Sequence, residues 1–342
     1  DSRRGHQSHS HKNAMTIEHG QALTAPRNVA LIGVSNDPKK LTARPLQFCK
    51  QHKFSGKIYL VNPHRKQVQG QTAFPSVSAI PEKIDHAYIM LSTELVEAAL
   101  DDCIAAGVAV VTVLADGFAD AGEVGRERQA RLVAKADAAG MMMIGPNSMG
   151  VANTENGFIC TTNAAFRADS LRRGRLAVLS HSGSLIGTLL SRGEARNIGF
   201  SKLVSLGNEA QSCVGSVGMT MVENPDIDGF VLFLETLRNF EKFAAFANAA
   251  KCLGKPIVAY MLGKSYTRKT LEEKRRKLKS SYPDLYEIPK PEDYSSIKHH
   301  QCDALTFFSR NSKDLTKNPA KIGRIFSPSR YLLFKRKIGF FG

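Results

Sequence analysis

Asn28-Val-Ala-Leu-Ile-Gly-Val34, running on into Ser35-Asn-Asp-Pro38, is the stretch from which the fold is read. A short apolar run that ends on a glycine reads as a buried strand closed by a tight turn. Further short apolar runs that read as strands follow at Lys57-Ile-Tyr-Leu-Val-Asn-Pro63, Asp85-His-Ala-Tyr-Ile-Met-Leu91, Val108-Ala-Val-Val-Thr-Val-Leu114 and Met141-Met-Met-Ile-Gly-Pro-Asn147. Helical spacing fills the intervals at 45–52, 94–106 and 123–139, and Gly107 and Gly140 supply the stops of the last two. Strands alternating with helices at this interval predict an α/β fold with a parallel, doubly wound sheet.

Outward from that unit, a looser segment at 151–174 leads to a second, smaller α/β series. Its strands are expected at 175–180, 201–206, 229–235 and 256–262, and its helices at 184–196, 215–223 and 240–253. The two layouts are alike, but no strict repeat is present. The regular pattern stops at Ser265. The expected organisation is a disordered segment 1–26, a first domain 27–150, a second domain 151–265 and an irregular basic tail 266–342, expected to be poorly ordered.

Charge follows the same division. The chain has 342 residues and a net charge of +16, and the tail holds 18 of its 47 Lys and Arg against 8 of its 31 Asp and Glu. A basic tail can meet nucleic acid or anionic lipid, but a solvated extension is the preferred reading, with no nucleic-acid partner. No run of 18 apolar residues exists, so no membrane span is expected. The polar, His- and Ser-rich start lacks the apolar core of a secretory signal. The six cysteines show no C-x-x-C spacing; they read as reduced thiols of a cytoplasmic protein. No metal site is expected.

Ligands of open parallel sheets bind at the carboxyl ends of the strands. Four ends carry usable chemistry. At Gly33, Ser35, Asn36, Asp37 and Pro38, backbone amides can hold phosphate oxygens, although an ordinary strand-to-helix turn has the same look. At Asn62-Pro-His-Arg65, the cations His64 and Arg65, with Lys66, suit a phosphorylated ligand or form a solvated loop. The acidic residue of ribose recognition in NAD-binding folds is absent from this end. Ile144-Gly-Pro-Asn147 is a tight turn. Val178-Leu-Ser-His-Ser-Gly-Ser184 gathers Ser180, Ser182 and Ser184 before a helix, an arrangement for an anion. His181 reads as a loop residue beside that site rather than a nucleophile, since no G-x-S-x-G elbow is present. Glu235 closes a strand of five apolar residues; it can orient a histidine, act as a base or form a cap or salt bridge.

These motifs, in this order, resemble the α-type half of NDP-forming acyl-CoA synthetases, the ADP-forming acetate–CoA ligases related to the succinyl-CoA synthetase α subunit. The matching text is Val29-Ala-Leu-Ile-Gly-Val-Ser35, Lys57-Ile-Tyr-Leu-Val-Asn-Pro63, Ile144-Gly-Pro-Asn147, Leu179-Ser-His-Ser-Gly-Ser184, Phe200-Ser-Lys-Leu-Val-Ser-Leu-Gly-Asn208 and Leu234-Glu-Thr236, covering about 27–265. The resemblance implies a Rossmann-like CoA-binding domain followed by a flavodoxin-like domain of the succinyl-CoA synthetase type. It implies that CoA or acyl-CoA meets Gly33, Ser35–Pro38, His64, Arg65, Leu114, Ala115 and Asp116. It also implies that Ser182, Gly183 and Ser184 receive phosphate, and that Glu235 orients a phosphorylated histidine. ADP or ATP, with Mg, would be held by an ATP-grasp β-type partner that this chain lacks. Self-association is a further expectation.

The departures are specific. The family's histidine sits in a Ser-His-Thr-Gly-like loop about 15 residues beyond the strand at 256–262, and the window 264–280 here holds neither histidine nor glycine. Thr42-Ala-Arg-Pro45 stands where a glycine is usual, and Gln211 where an acidic residue is common. The chain is therefore expected to bind CoA without turning over alone. A non-catalytic CoA-binding sensor or scaffold is the alternative, and a plain NAD(P)-binding dehydrogenase domain a distant third.

Overall fold

The computed structural model describes residues 15–261 and the paired dipeptides Tyr286–Glu287 and Phe307–Phe308. In chain order the elements are α1 (Ile17–Thr24), β1 (Asn28–Ile32), α2 (Arg44–Gln51), β2 (Lys57–Val61), β3 (Gln67–Val68), β4 (Gln71–Phe74), β5 (His86–Ile89), α3 (Thr93–Ala105), β6 (Val110–Val113), α4 (Gly122–Ala138), β7 (Met142–Ile144), β8 (Gly150–Asn153), β9 (Phe158–Thr161), β10 (Leu176–Ser180), α5 (Gly183–Glu194), β11 (Lys202–Ser205), α6 (Val214–Met221), β12 (Gly229–Leu234), α7 (Phe240–Cys252) and β13 (Ile257–Met261).

The first sheet has the order β3-β4-β2-β1-β5-β6-β7. All its pairings are parallel except the β3–β4 hairpin. The chain leaves β1 for β2 on one side and returns to β5 on the other. That reversal opens a crevice at the carboxyl end of β1. Central strands covered by helices on both faces must be apolar throughout, and Val29, Ala30, Leu31, Ala87, Tyr88, Val110 and Val111 are buried.

The second sheet has the order β13-β12-β10-β11-β8-β9. Here β11 and β12 flank β10 in parallel, so a second reversal lies at the carboxyl end of β10. The nine strands that the sequence places are present, each trimmed by one to four residues, whereas the short hairpin β3–β4 was not anticipated. The ladder stops where loop contacts take over the backbone groups.

Two expectations are corrected. The segment 1–26 was expected to be disordered, yet Ile17–Thr24 is helical; residues 1–14 lie outside the described residues. Leu23 is buried, Asn153 Nδ2 donates to Thr24 O at 2.8 Å, and Gly20 lies against the backbone of Thr220, where a Cβ would meet Thr220 O at 2.2 Å. Buried Ala22 and Leu23, the close Gly20 contact and hydrogen bonds from Asn153 to Thr24 O and between His19 and Gly140 O hold this helix. The looser segment 151–174 contains β9 and most of β8, an antiparallel hairpin that extends the second sheet next to β11. Both strands are buried along their whole length although each has only four residues. The tail expected after Ser265 lies outside the described residues apart from the two dipeptides.

Among the described residues no helix is long and apolar enough to cross a membrane, and no group of three or more His, Cys, Asp or Glu could hold a metal ion.

Candidate functional site

The carboxyl edge of the first sheet is built from loops that hold one another. Gly33 has φ +88, and a Cβ there would lie 2.6 Å from Met90 O, so glycine is required where the chain leaves β1. The next residues form a local turn: Ser35 Oγ accepts from Asp37 N at 3.1 Å and Asp37 Oδ1 from Lys39 N at 2.9 Å. The β3–β4 hairpin pins this turn from outside. Gln69 N donates to Asn36 Oδ1, and Gln69 Nε2 donates to Ser35 O, both at 2.8 Å. After β2, Asn62 Oδ1 accepts from His64 N at 3.0 Å and shapes the Asn-Pro turn. His64, Arg65 and Lys66 are exposed there, as are Asn36, Asp37, Pro38, Lys39 and Lys40.

The edge continues across the sheet. Thr93, at the start of α3, donates to Asp116 O at 2.8 Å. Leu114 and Ala115 are half-buried and Asp116 is exposed. Ala115 O accepts from Asn147 N at 2.8 Å. The structure thus brings Gly33, Ser35, Asn36, Asp37, Pro38, His64 and Arg65 to one edge with Leu114, Ala115 and Asp116.

The seam to the second unit lies next along this edge. Asn208 N donates to Pro146 O at 2.8 Å, and Asn208 Nδ2 donates to Asp120 Oδ1 at 3.2 Å. Burial pushes the Asp120 carboxyl up, but its own backbone N–H and that of Gly117, with Asn208 and the Phe118 N–H, outweigh this and hold it below the usual carboxylate range. Gln211 spans the same seam. Its Oε1 accepts from Met143 N at 2.7 Å, and its Nε2 donates to Met141 O at 2.8 Å and to Asp137 Oδ1 at 2.9 Å.

At the carboxyl end of β10 the arrangement is tighter. Ser180 Oγ donates to Ser182 O at 2.8 Å, so this hydroxyl serves the turn. Ser182 and Ser184 hydroxyls lie 3.1 Å apart at the first turn of α5. Gly183 O accepts from Asn163 Nδ2 at 2.7 Å, and the Met149 side chain fills the space beside the Gly183 Cα. Free amides at the start of a twelve-residue helix, with two hydroxyls beside them, favour an anion.

The exposed Glu235 follows β12, and its backbone N–H donates to His181 Nδ1 at 3.0 Å. His181 Nε2 lies 3.1 Å from Glu209 Oε1. Glu209 is buried, has φ +49, and accepts from Val214 N at the start of α6. The sequence reading passed over Glu209, Asn163, Gln69 and Asp120. Only Glu209 had a signal in the sequence, as the next residue after the Ser-Leu-Gly-Asn stretch.

Residues 27–154 match the CoA binding domain family, and residues 173–281 match the succinyl-CoA ligase like flavodoxin domain. The chain belongs to the NDP-forming acyl-CoA synthetase family. Within that family it is 33% identical over 240 residues to the α subunit of acetate–CoA ligase [ADP-forming] II of Pyrococcus furiosus, covering 70% of this chain and 51% of the relative. It is 33% identical to acetate–CoA ligase [ADP-forming] I of Archaeoglobus fulgidus, covering 72% of this chain and 35% of that protein. The dinucleotide-forming acetyl-coenzyme A synthetase 1 of Candidatus Korarchaeum cryptofilum, solved with phosphate and ADP, superposes with a TM-score of 0.67 at 27% identity, over 78% of this chain and 55% of that one. The chain spans about half or less of the length of these curated relatives. The family match of the second unit runs past Ser265 to residue 281, into the window that lacks the expected histidine and outside the described residues.

Proposed function

We propose that this chain is the CoA-binding, α-type portion of an acid–CoA ligase of the NDP-forming class, which interconverts acyl-CoA, ADP and phosphate with acid, CoA and ATP. The observation that carries the reading is the continuous carboxyl edge, from His64 past Gly33 and Ala115 to Asn208, with the Ser182–Ser184 anion site on the second sheet. An extended ligand with several phosphates suits an exposed edge rich in amides and cations. A single tetrahedral phosphate suits the start of α5.

In this reading CoA or its thioester lies along Gly33, Ser35, Asn36, Asp37 and Pro38, with phosphate groups at His64 and Arg65 and the remainder of the molecule near Leu114, Ala115 and Asp116. Attack of phosphate on the thioester carbonyl expels the CoA thiolate and leaves an acyl phosphate, with Ser182, Gly183 and Ser184 neutralising the transferring group. The Glu235 carboxylate would orient a phosphoryl-accepting histidine. The window 264–280 supplies none, so this chain does not complete the transfer alone. ADP, ATP and Mg belong to an ATP-grasp β-type partner. Cys49, Cys103, Cys160 and Cys213 are buried and free, which supports a reducing, cytoplasmic setting.

Calorimetry of the full chain with CoA and with NAD tests the reading. We expect binding of CoA only, and reversal of the three rim cations in H64E/R65E/K66E should weaken it by about tenfold or more at low salt, with the loss shrinking at high salt. Binding of NAD without CoA would sink the assignment.

A further inference from the structure

The imidazole of His181 ties three elements together. Its backbone N–H donates to Phe233 O at 3.0 Å, extending the β10–β12 ladder by one residue. Its Nδ1 accepts from the Glu235 backbone N–H at 3.0 Å. An imidazole nitrogen that accepts carries no proton, so the ring proton sits on Nε2. That nitrogen lies 3.1 Å from Glu209 Oε1, with both side chains almost wholly enclosed, at 6% and 1% exposure. The contact is off the line of a hydrogen bond, because Nε2 has no hydrogen-bond partner, and neither has Glu209 Oε2. The Glu209 carboxylate faces the edge of the neutral ring that carries the proton. Glu209 is fixed in turn by Val214 N, at the first residue of α6.

We infer that His181 is a positioning residue for the phosphate site, tying the Ser182–Ser184 turn to the end of β12 through its bonds to Phe233 O and to the Glu235 backbone N–H, with Glu209 selecting the ring tautomer that allows the second bond. The inference rests on the phosphate-site reading given above and adds to it the residues that set its geometry. Both ring nitrogens face protein groups, so His181 is not the phosphoryl acceptor. The Nδ1 hold requires an acceptor at that place. Asparagine offers one, since its Oδ1 occupies nearly the position of Nδ1, whereas alanine offers none.

The test uses the full chain, with inorganic phosphate as the probe and CoA affinity as the check that each variant is folded. In His181→Ala, phosphate affinity should fall about tenfold, and exchange of the Glu235 amide should accelerate by a similar factor. In His181→Asn both should return to within about threefold of the parent. A long-range proton–nitrogen spectrum of the parent should show Nδ1 unprotonated. In Glu209→Gln the ring should begin to populate the other tautomer. If His181→Ala binds CoA and phosphate as the parent does and keeps Glu235 protected, the inference is overturned. If the parent binds CoA but no phosphate, the phosphate-site reading itself fails while the tautomer result still stands, so the two failures are distinct.

Discussion

The two strand-end sites solve different problems. The edge of the first sheet is exposed, and its turn is held by backbone geometry and by the neighbouring hairpin through Gln69. The site on the second sheet is compact, and its shape comes from enclosed side chains: Asn163 on Gly183, Met149 beside it, and His181 and Glu209 beneath the end of β12. The first edge uses its short polar side chains to brace the turn and leaves the exposed cations His64, Arg65 and Lys66 to meet a long ligand. A side-chain-built site gives fine control of a few atoms, as a small tetrahedral anion requires.

The contrast is broken most strongly at the two glycines. In Gly33→Ala a side chain is forced onto a residue with φ +88 and against a carbonyl oxygen 2.6 Å away, neither of which can move without the sheet. The expected cost is about 3 kcal/mol, with loss of CoA binding. In Gly183→Ala the new methyl meets Met149 Cγ, Cβ and Sδ at 2.4 to 2.7 Å; Cγ and Sδ can rotate away, while Cβ moves only with its backbone. The expected cost is about 2 kcal/mol. Urea midpoints with CoA titration measure both, and equal losses would show that the two sites are not built differently.

What could be read from the sequence follows the same physics. Strands buried on both faces have to be continuous apolar runs, so β1, β5, β6, β10 and β12 were legible, as were the glycines that close α3 and α4. The hairpin of β8 and β9 was not, because Gly150–Asn153 and Phe158–Thr161 are short strands separated by turn residues and read locally as a linker. Helix α1 depends on Leu23, Gly20 and a contact with Thr220 two hundred positions away. At the candidate sites, Ser182, Gly183, Ser184 and Glu235 stood out because motif order marks strand ends. The His181–Glu209 contact joins residues from separate loops, and no spacing within either loop announces it.

The seam between the two units offers an intermediate effect. His86 is fully buried on β5, with Nε2 2.8 Å from Thr112 Oγ1 and its ring 5.6 Å from that of Phe158 on the second sheet. Burial lowers its pKa from 6.5 to about 4, only partly opposed by Leu23, Ala22 and Asp85. The unfolded chain therefore takes up this proton first. The contribution of His86 is fully present above pH 6.5 and is lost as pH falls towards 4, about 3 kcal/mol in all. Chemical denaturation at intervals across that range should show stability dropping, with a shallower slope in His86→Gln. An unchanged slope would mean that other groups govern the acid response.

A last effect concerns Gln211, which joins the loop after β11 to the last strand of the first sheet. Its amide is used at both ends: the oxygen accepts from Met143 N, while the nitrogen donates to Met141 O and Asp137 Oδ1. A carboxylate could keep the first bond but would lose both donations and face Asp137. The expected cost of Gln211→Glu is about 2 kcal/mol. Because the seam also carries Asn208 on Asp120 and on Pro146, the two units should remain docked. Phosphate affinity should then stay near the parent value while CoA affinity falls a few-fold, since the edge that runs through Ala115 and Asn147 ends at this seam. Gln211→Lys, which can donate to Asp137 but not accept from Met143, separates the two contributions. If both variants leave stability and CoA affinity untouched, the two sites are independent modules, and the open edge ends before the seam.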